Sequence, residues 1–158
     1  MDITFETKEG RFNYRVCAVL LDQERILAMH DERSPYFYLP GGRVRMGERA
    51  EDAVLREVRE ELGIEAKILR PLRLSQSFFN EDVVRADYHE LCLYFLVDAS
   101  GTDLLARGNR FRGPEHHHVH DFEWLPFQRL RDEYFYPLFL KTDIYHLPEG
   151  LTLRTDRE

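Results

Sequence analysis

The segment Gly42–Ile64, with the sequence GRVRMGERAEDAVLREVREELGI, constrains this chain more than any other stretch. Residues with high helix propensity fill its second half, and Gly63 stands where a left-handed residue would end a helix. On such a helix Val54, Val58 and Leu62 share one apolar face. The segment therefore predicts a helix that packs against a core and stops at Gly63.

Three carboxylates lie beside that apolar face. Glu57, Glu60 and Glu61 have the spacing i, i+3 and i+4, which places them on one side of a helix. Crowded carboxylates repel one another, and a hard cation such as Mg²⁺, which prefers oxygen ligands, would remove that repulsion. A solvated acidic helix face is the alternative, and for the three glutamates taken alone it is the more common explanation.

Further residues stand at fixed offsets around these carboxylates. The full set is Gly42, Glu48, Arg56, Glu57, Val58, Glu60, Glu61, Gly63 and Ile64. This set resembles the signature of the Nudix hydrolases, G-x5-E-x7-R-E-U-x-E-E-x-G-U, where U is a bulky aliphatic residue, and no constrained position departs from it. So many fixed residues at fixed spacing are a far more specific signal than a lone glycine-rich loop. Outside the signature, the resemblance extends over residues 12–142 as a likeness of pattern.

The rest of the chain predicts an α/β fold. Its apolar patterns indicate strands at 3–7, 14–21, 25–30, 36–39, 66–79, 88–98 and 119–125. A helical segment, interrupted at Pro137, is expected from 126 to about 141, and a polar tail at about 148–158 with a short strand at 151–153. Strands around one long helix predict an α/β/α sandwich with a central mixed β-sheet, which the Nudix resemblance also implies. We expect one domain over residues 1–158, with its core at about 12–142.

Composition and net charge limit which partners and which cellular location we expect for this chain. A net charge of −7 argues against binding to duplex nucleic acid, whose phosphates favour a basic surface. No apolar run is long enough to cross a membrane, and no secretory pattern is visible. Cys17 and Cys92 lie in apolar, strand-like runs, which suggests buried thiols in a reduced, cytoplasmic protein. The sequence leaves the oligomeric state open, with a homodimer as one option.

The resemblance implies a metal-dependent hydrolase that cleaves a pyrophosphate bond in a nucleoside diphosphate linked to another group. A modified nucleoside triphosphate, a dinucleotide or a nucleotide sugar would be such a substrate. Mg²⁺ or Mn²⁺ would neutralise the diphosphate, orient it and lower the pKa of a bound water. Bound metal would also reconcile an acidic protein with a phosphate ligand.

The signature assigns roles by position. The metal ligands it implies are Glu57, Glu61, Glu60, Glu48 and, through its backbone carbonyl, Gly41. Arg56 is expected to pair with one of these glutamates and to fix its orientation. The general base is left open between a glutamate of the signature and Glu115, which precedes His116, His117, His118 and His120 in a loop before the last strand. Neutral histidine can bind metal or accept a proton, but loop histidines are more often simply exposed.

Candidate substrate contacts are less specific. A ring of Tyr36 or Tyr38 could stack on a base, and Gly41 and Gly42 allow backbone to approach a ligand closely. Arg110 could grip a phosphate. Core packing of the tyrosines and solvent exposure of the arginine are the simpler alternatives.

Three other functions are less consistent with the sequence. A nucleotide-sensing Nudix domain that binds without turnover would not need the complete set of glutamates. An isomerase of isoprenoid diphosphates would need a catalytic cysteine near the substrate, whereas Cys17 and Cys92 look buried. The ADP-ribose hydrolases of the family often carry a proline some fifteen residues past the signature glycine. Here Phe78 and Phe79 occupy that region, which lowers this option.

Overall fold

The computed structural model of the chain describes residues 1–81, 85–114 and 119–157. The strands are β1 (Thr4–Glu6), β2 (Arg11–Asp22), β3 (Arg25–His30), β4 (Gly41–Arg43), β5 (Lys67–Glu81), β6 (Ala86–Asp98), β7 (Arg110–Arg112), β8 (Asp121–Pro126) and β9 (Thr152–Arg157). The helices are α1 (Ala50–Leu62), α2 (Phe127–Leu130) and α3 (Leu140–Asp143), with a 3-10 turn at Leu104–Arg107.

These strands form one mixed sheet in the order β7-β8-β3-β2-β6-β5-β9, and β1 and β4 both pair with β2. The pairs β2–β6 and β5–β9 are parallel, while the other pairs are antiparallel. One hydrophobic cluster packs α1 against the sheet, and a second lies under α2 and α3. The predicted α/β/α arrangement with a central mixed sheet is therefore confirmed.

Strand β2 holds the two layers together. Its residues Val16, Ala18 and Leu20 belong to the cluster beneath α1, whereas Cys17 and Val19 belong to the opposite cluster. Successive side chains of a strand point to opposite faces, so a strand buried on both faces has a continuous apolar sequence. This explains why the central strand was visible in the sequence.

Helix α1 has the predicted form. Val54, Val58 and Leu62 are fully buried against the sheet. Gly63 adopts the left-handed conformation, with φ of 68° and ψ of 30°, and its N–H donates to the carbonyl of Arg59 at 2.8 Å. A residue without Cβ enters this conformation without steric cost, which ends the helix at the expected position.

Two local predictions differ from the structure. The segment 36–39 is not a strand, because Phe37 and Tyr38 bond to two different neighbours and make only isolated bridges. The helical segment 126–141 is interrupted around Pro137, as predicted, but its helical parts are shorter than expected, because α2 and α3 have four residues each. Pro137 lies between them, where its ring removes a donor that a continuous helix needs.

The C-terminal segment also differs from the expectation of a largely polar tail. Strand β9 begins one residue later than predicted and continues to Arg157, pairing in parallel with β5 along the sheet edge. An edge strand needs only backbone partners on one side, so alternating polar side chains are compatible with it. In the described part of the chain, no helix is long and apolar enough to span a bilayer.

The end of α1 provides a test of the fold. We expect Gly63→Ala to lower the free energy of unfolding by about 1 kcal/mol, or about 2–4 °C in Tm, because alanine is strained at positive φ. The new Cβ would meet only Pro114, at an ordinary 3.4 Å, so no clash adds to this cost. Gly150→Ala is the matched control, since that glycine has open space around it. Equal Tm values for the two variants in thermal unfolding would contradict this account of the helix end.

Candidate active site

Two glycines of β4 bring the backbone directly against the neighbouring elements. A Cβ built on Gly42 would lie 2.3 Å from Oε1 of Glu57, so the Glu57 carboxylate rests on the backbone of β4. A Cβ on Gly41 would lie 2.2 Å from the backbone carbonyl of Val16 in β2. The close approach of α1, β4 and β2 therefore depends on the absence of both side chains.

Arg56 connects the carboxylates of the signature segment. Its Nε and one terminal nitrogen donate to both oxygens of Glu48, at 2.7 and 3.0 Å. The other terminal nitrogen donates to Glu57 at 2.9 Å and to Glu60 at 3.3 Å. A further bond reaches the backbone carbonyl of Arg43 in β4 at 3.1 Å. One guanidinium thus positions three carboxylates and anchors α1 to the sheet.

The Glu57 and Glu61 carboxyls are in contact below this arginine. They are hydrogen-bonding neighbours, and the backbone N–H of Gly41 donates to Glu61 at 3.3 Å. Glu61 is 5% exposed, whereas the side chain of Glu60 is 40% exposed. Burial raises the pKa of Glu57 above its ordinary value, although its hydrogen bonds to Arg56 and Glu61 act in the opposite direction.

Glu48 has the opposite electrostatic character. The hydrogen bond from Arg56 is the main reason why the pKa of Glu48 lies below its ordinary value. Its carboxylate also accepts a bond from the backbone N–H of Arg45 at 3.1 Å. Glu48 therefore remains ionised and neutralises Arg56, while the carboxylates of Glu57 and Glu61 are crowded and partly desolvated.

The donor set fits a hard divalent cation. Among the residues that the structure describes, no three His, Cys, Asp or Glu side chains converge into a complete metal cage. Mg²⁺ does not require such a cage, since proteins usually hold it through one or two carboxylates, with water and substrate phosphates filling the other positions. Glu57 and Glu61 offer adjacent carboxylates of this kind, and the carbonyl of Gly41 lies on the strand beside them.

Tyr36 and Tyr38 have different surroundings. Tyr36 packs against Tyr134 and Tyr136, with ring centroids 5.5 and 5.1 Å away, and Tyr134 is 55% exposed. The hydroxyl of Tyr38 donates to Asp31 at 2.5 Å. Burial is the main reason why the pKa of Tyr38 is raised, and the bond to Asp31 adds to it. Tyr38 is thus fixed in place, whereas the Tyr36 cluster reaches the surface.

Arg110 lies apart from this group, on β7. Its guanidinium is 74% exposed and faces Glu123 at 3.4 Å. A role in phosphate binding stays a prediction for this residue. Glu115, His116, His117 and His118 lie outside the described residues.

The sequence analysis missed Asp31. This carboxylate is 9% exposed and accepts hydrogen bonds from Tyr38 and from the backbone N–H of Arg33, the latter at 2.7 Å. His120 places Nε2 at 3.9 Å from the same carboxylate. The signal available was an aspartate immediately after a strand and before a loop, where side chains often bond to the backbone two residues on. Asp31 thereby links the loop after β3 to Tyr38 and to the start of β8.

Comparisons with known proteins identify the family and the fold. The NUDIX domain model matches residues 11–141. A protein named ADP-ribose pyrophosphatase from Methanocaldococcus jannaschii is 31% identical over 94 residues, which is 58% of this chain and 53% of that protein. The match therefore spans about half the length of this relative.

Solved structures share the fold at low identity. An ADP-ribose pyrophosphatase from Streptococcus suis superposes with a TM-score of 0.61 and 16% identity, covering 91% of this chain and 98% of that one. A MutT protein from Bacillus halodurans gives a TM-score of 0.61 with 14% identity, covering 92% and 89%. These likenesses extend over nearly the whole chain and show the shared fold. The domain match over residues 11–141 establishes that the chain belongs to the NUDIX family.

Proposed function

We propose that this protein is a metal-dependent hydrolase of a pyrophosphate bond in a nucleoside diphosphate linked to another group. The observation that carries the proposal is the seating of the Glu57 carboxylate on Gly42, in contact with Glu61 and held by Arg56. Two crowded carboxylates with a fixed orientation suit one hard cation and a phosphate chain. Mg²⁺ is the proposed metal and Mn²⁺ an alternative.

Glu57 and Glu61 are the proposed primary ligands, and the Gly41 carbonyl a further one. When bound, the metal supplies charge neutralisation of the diphosphate and an acidified water. Glu60, the most exposed of the three carboxylates, would contact a second metal or the attacking water. Arg56 would hold the carboxylates in their reactive orientation, and Glu48 would keep that guanidinium in place.

The protein's own contribution is mainly positioning. A diphosphate repels any anionic nucleophile, so holding it rigidly next to an oriented water supplies much of the acceleration in phosphoryl transfer. The partly exposed cluster of Tyr36, Tyr134 and Tyr136 is the proposed stacking surface for a base. Arg110 remains a candidate for a distal phosphate, and Glu115 a candidate general base.

The proposed substrate class includes several kinds of compound. The relatives named ADP-ribose pyrophosphatase make ADP-ribose one candidate, although the proline expected of that group is replaced here by Phe78 or Phe79. We also propose a cytoplasmic location, since Cys17 and Cys92 are free thiols. A homodimer is a further proposal that sedimentation would test.

A substrate screen tests the function directly. We expect phosphate or nucleotide release from at least one modified nucleoside triphosphate, dinucleotide or nucleotide sugar. The reaction should require millimolar-scale Mg²⁺ or micromolar-scale Mn²⁺, as expected for an open, hydrated site. Full activity in excess chelator would overturn the metal requirement. Tight nucleotide binding with no turnover across the panel would favour the sensing alternative.

The two buried glutamates should be essential for turnover. We expect Glu57→Gln and Glu61→Gln each to lower kcat by more than about 100-fold, beyond the 10–100-fold typical of residues that only orient a ligand. Glu65→Gln is the matched control, because Glu65 pairs with Arg59 at the surface and its side chain is 75% exposed. Circular dichroism should show unchanged folds. Wild-type kcat in both active-site variants would refute their assigned roles.

Substitutions at the two glycines of β4 should have different effects, one mainly on activity and the other mainly on stability. Gly42→Ala would displace the carboxylate of Glu57 without pressing on backbone, so we expect about a 100-fold loss in kcat with little change in Tm. Gly41→Ala would press on the backbone of β2, so we expect about 1–3 kcal/mol of destabilisation. Kinetics and thermal unfolding of both variants check this contrast. A Gly42→Ala enzyme with normal kcat would show that the seating of Glu57 is unimportant.

A further inference from the structure

Two cysteines meet in the core on the side of the sheet opposite α1. Cys17 of β2 and Cys92 of β6 place their Sγ atoms 3.7 Å apart, and the Cys92 thiol donates to Cys17. The parallel register sets Arg15 opposite Cys92 and Cys17 opposite Tyr94, so the two cysteines are diagonal neighbours on one face. The proposed hydrolysis uses neither thiol.

This pair lies directly behind the candidate active site. Cys17 is opposite Gly41 in the β2–β4 pair, and a Cβ on Gly41 would lie 3.0 Å from the Cys17 sulfur. The N–H of the same Gly41 donates to Glu61. Only one tightly packed glycine, Gly41, therefore lies between the Cys17 side chain and the Glu61 carboxylate.

We propose that Cys17 and Cys92 form an intramolecular disulfide on exposure to a peroxide-class oxidant, and that this bond lowers the activity of the adjacent site. The effect on activity rests on the proposed function, whereas the disulfide itself does not.

The chemistry requires one equivalent of hydrogen peroxide. The Cys17 sulfur attacks one peroxide oxygen, the O–O bond breaks, and water leaves as Cys17 becomes a sulfenic acid. The Cys92 sulfur then attacks the Cys17 sulfur, the S–O bond breaks, and a second water leaves with the Cys92 proton. The net reaction oxidises two thiols to one disulfide and reduces one peroxide to two waters. A dithiol reductant reverses the change by thiol–disulfide exchange.

Access and geometry favour Cys17 as the attacking residue. Cys17 is 9% exposed and Cys92 is 2% exposed, so a small neutral oxidant reaches Cys17 first. The Arg15 guanidinium, whose Nε is buried without a hydrogen bond among the described residues, lies beside both sulfurs. A neighbouring cation favours thiolate reactivity, while Glu90 and Glu57 act in the opposite sense. The proposal therefore rests on the distance between the sulfurs.

Bond formation must move these atoms. A disulfide is about 2.05 Å long, so the sulfurs would approach each other by more than an ångström from 3.7 Å. Cys17 would then withdraw from Gly41 and remove the packing that holds its N–H against Glu61. Displacement of a catalytic group by about 1 Å can cost about 100-fold in rate, and a shift transmitted through one residue should cost about tenfold.

The test treats the full-length protein with hydrogen peroxide and follows two readouts. Intact mass and peptide mapping should show the loss of two hydrogens and one Cys17–Cys92 crosslink within a monomer. Turnover of the substrate found in the screen should fall about tenfold, and dithiothreitol should restore both. Crosslinks between chains, or sulfinic acid with no disulfide, would overturn the proposal.

Matched variants separate the possible outcomes. Cys92→Ala keeps the attacking thiol and lacks its partner, so it should form no disulfide, and intact mass should show one added oxygen on Cys17, as in a sulfenic acid, instead of the loss of two hydrogens. The double variant Cys17→Ala/Cys92→Ala should be insensitive to mild peroxide. If either variant fails to fold, the wild-type mapping still decides whether the bond forms. A disulfide with unchanged turnover would refute the coupling, whereas a reduced protein with no turnover on any substrate would refute only the proposed function.

Discussion

The contact between the Glu57 carboxylate and the backbone of Gly42 determines the geometry of the candidate site. A helix can aim a carboxylate at a strand only if the strand lets it come close, and any side chain at this position would occupy the same space. The apolar stripe of α1 fixes the height of the helix over the sheet, and the left-handed turn at Gly63 fixes where it ends. These packing constraints together set the position of the carboxylate.

Electrostatics explains why this arrangement suits a cation. Glu48, Glu57 and Glu60 share the Arg56 guanidinium, Arg45 reaches Glu60 at 3.8 Å, and Glu61 adds a further carboxyl beside Glu57. Two positive charges cannot balance four carboxylates, and burial makes the remaining negative charge costly, as the raised pKa of Glu57 indicates. An added divalent ion would relieve this imbalance without moving Arg56. The same guanidinium would then serve as a fixed support, because its strongest bonds go to Glu48.

Periodicity and spacing made part of the fold predictable from the sequence. Local sequence patterns were enough to place three elements, which are the helix around Val58, its end at Gly63 and the central strand β2. The short strands β4 and β7 could not be placed, because their pairing depends on partners that are distant in the sequence. The contacts in the candidate site likewise differ in whether the sequence could predict them. The contacts of Arg56 agree with its fixed spacing from Glu57, whereas the bond between Tyr38 and Asp31 joins residues with no shared motif.

Strand β2 connects the helix, the glycines of β4 and the two thiols. Its even-numbered residues support α1, and its odd-numbered residues place Cys17 against both Gly41 and Cys92. Successive side chains of a strand point to opposite faces, and both faces of β2 are closely packed. A movement of Cys17 therefore cannot be accommodated by rotating this residue alone. The parallel partner β6 is held along ten paired positions and is equally difficult to shift. Chemical change at the thiols is therefore transmitted to β4, the short edge strand, and β4 carries the glycine on which Glu57 rests.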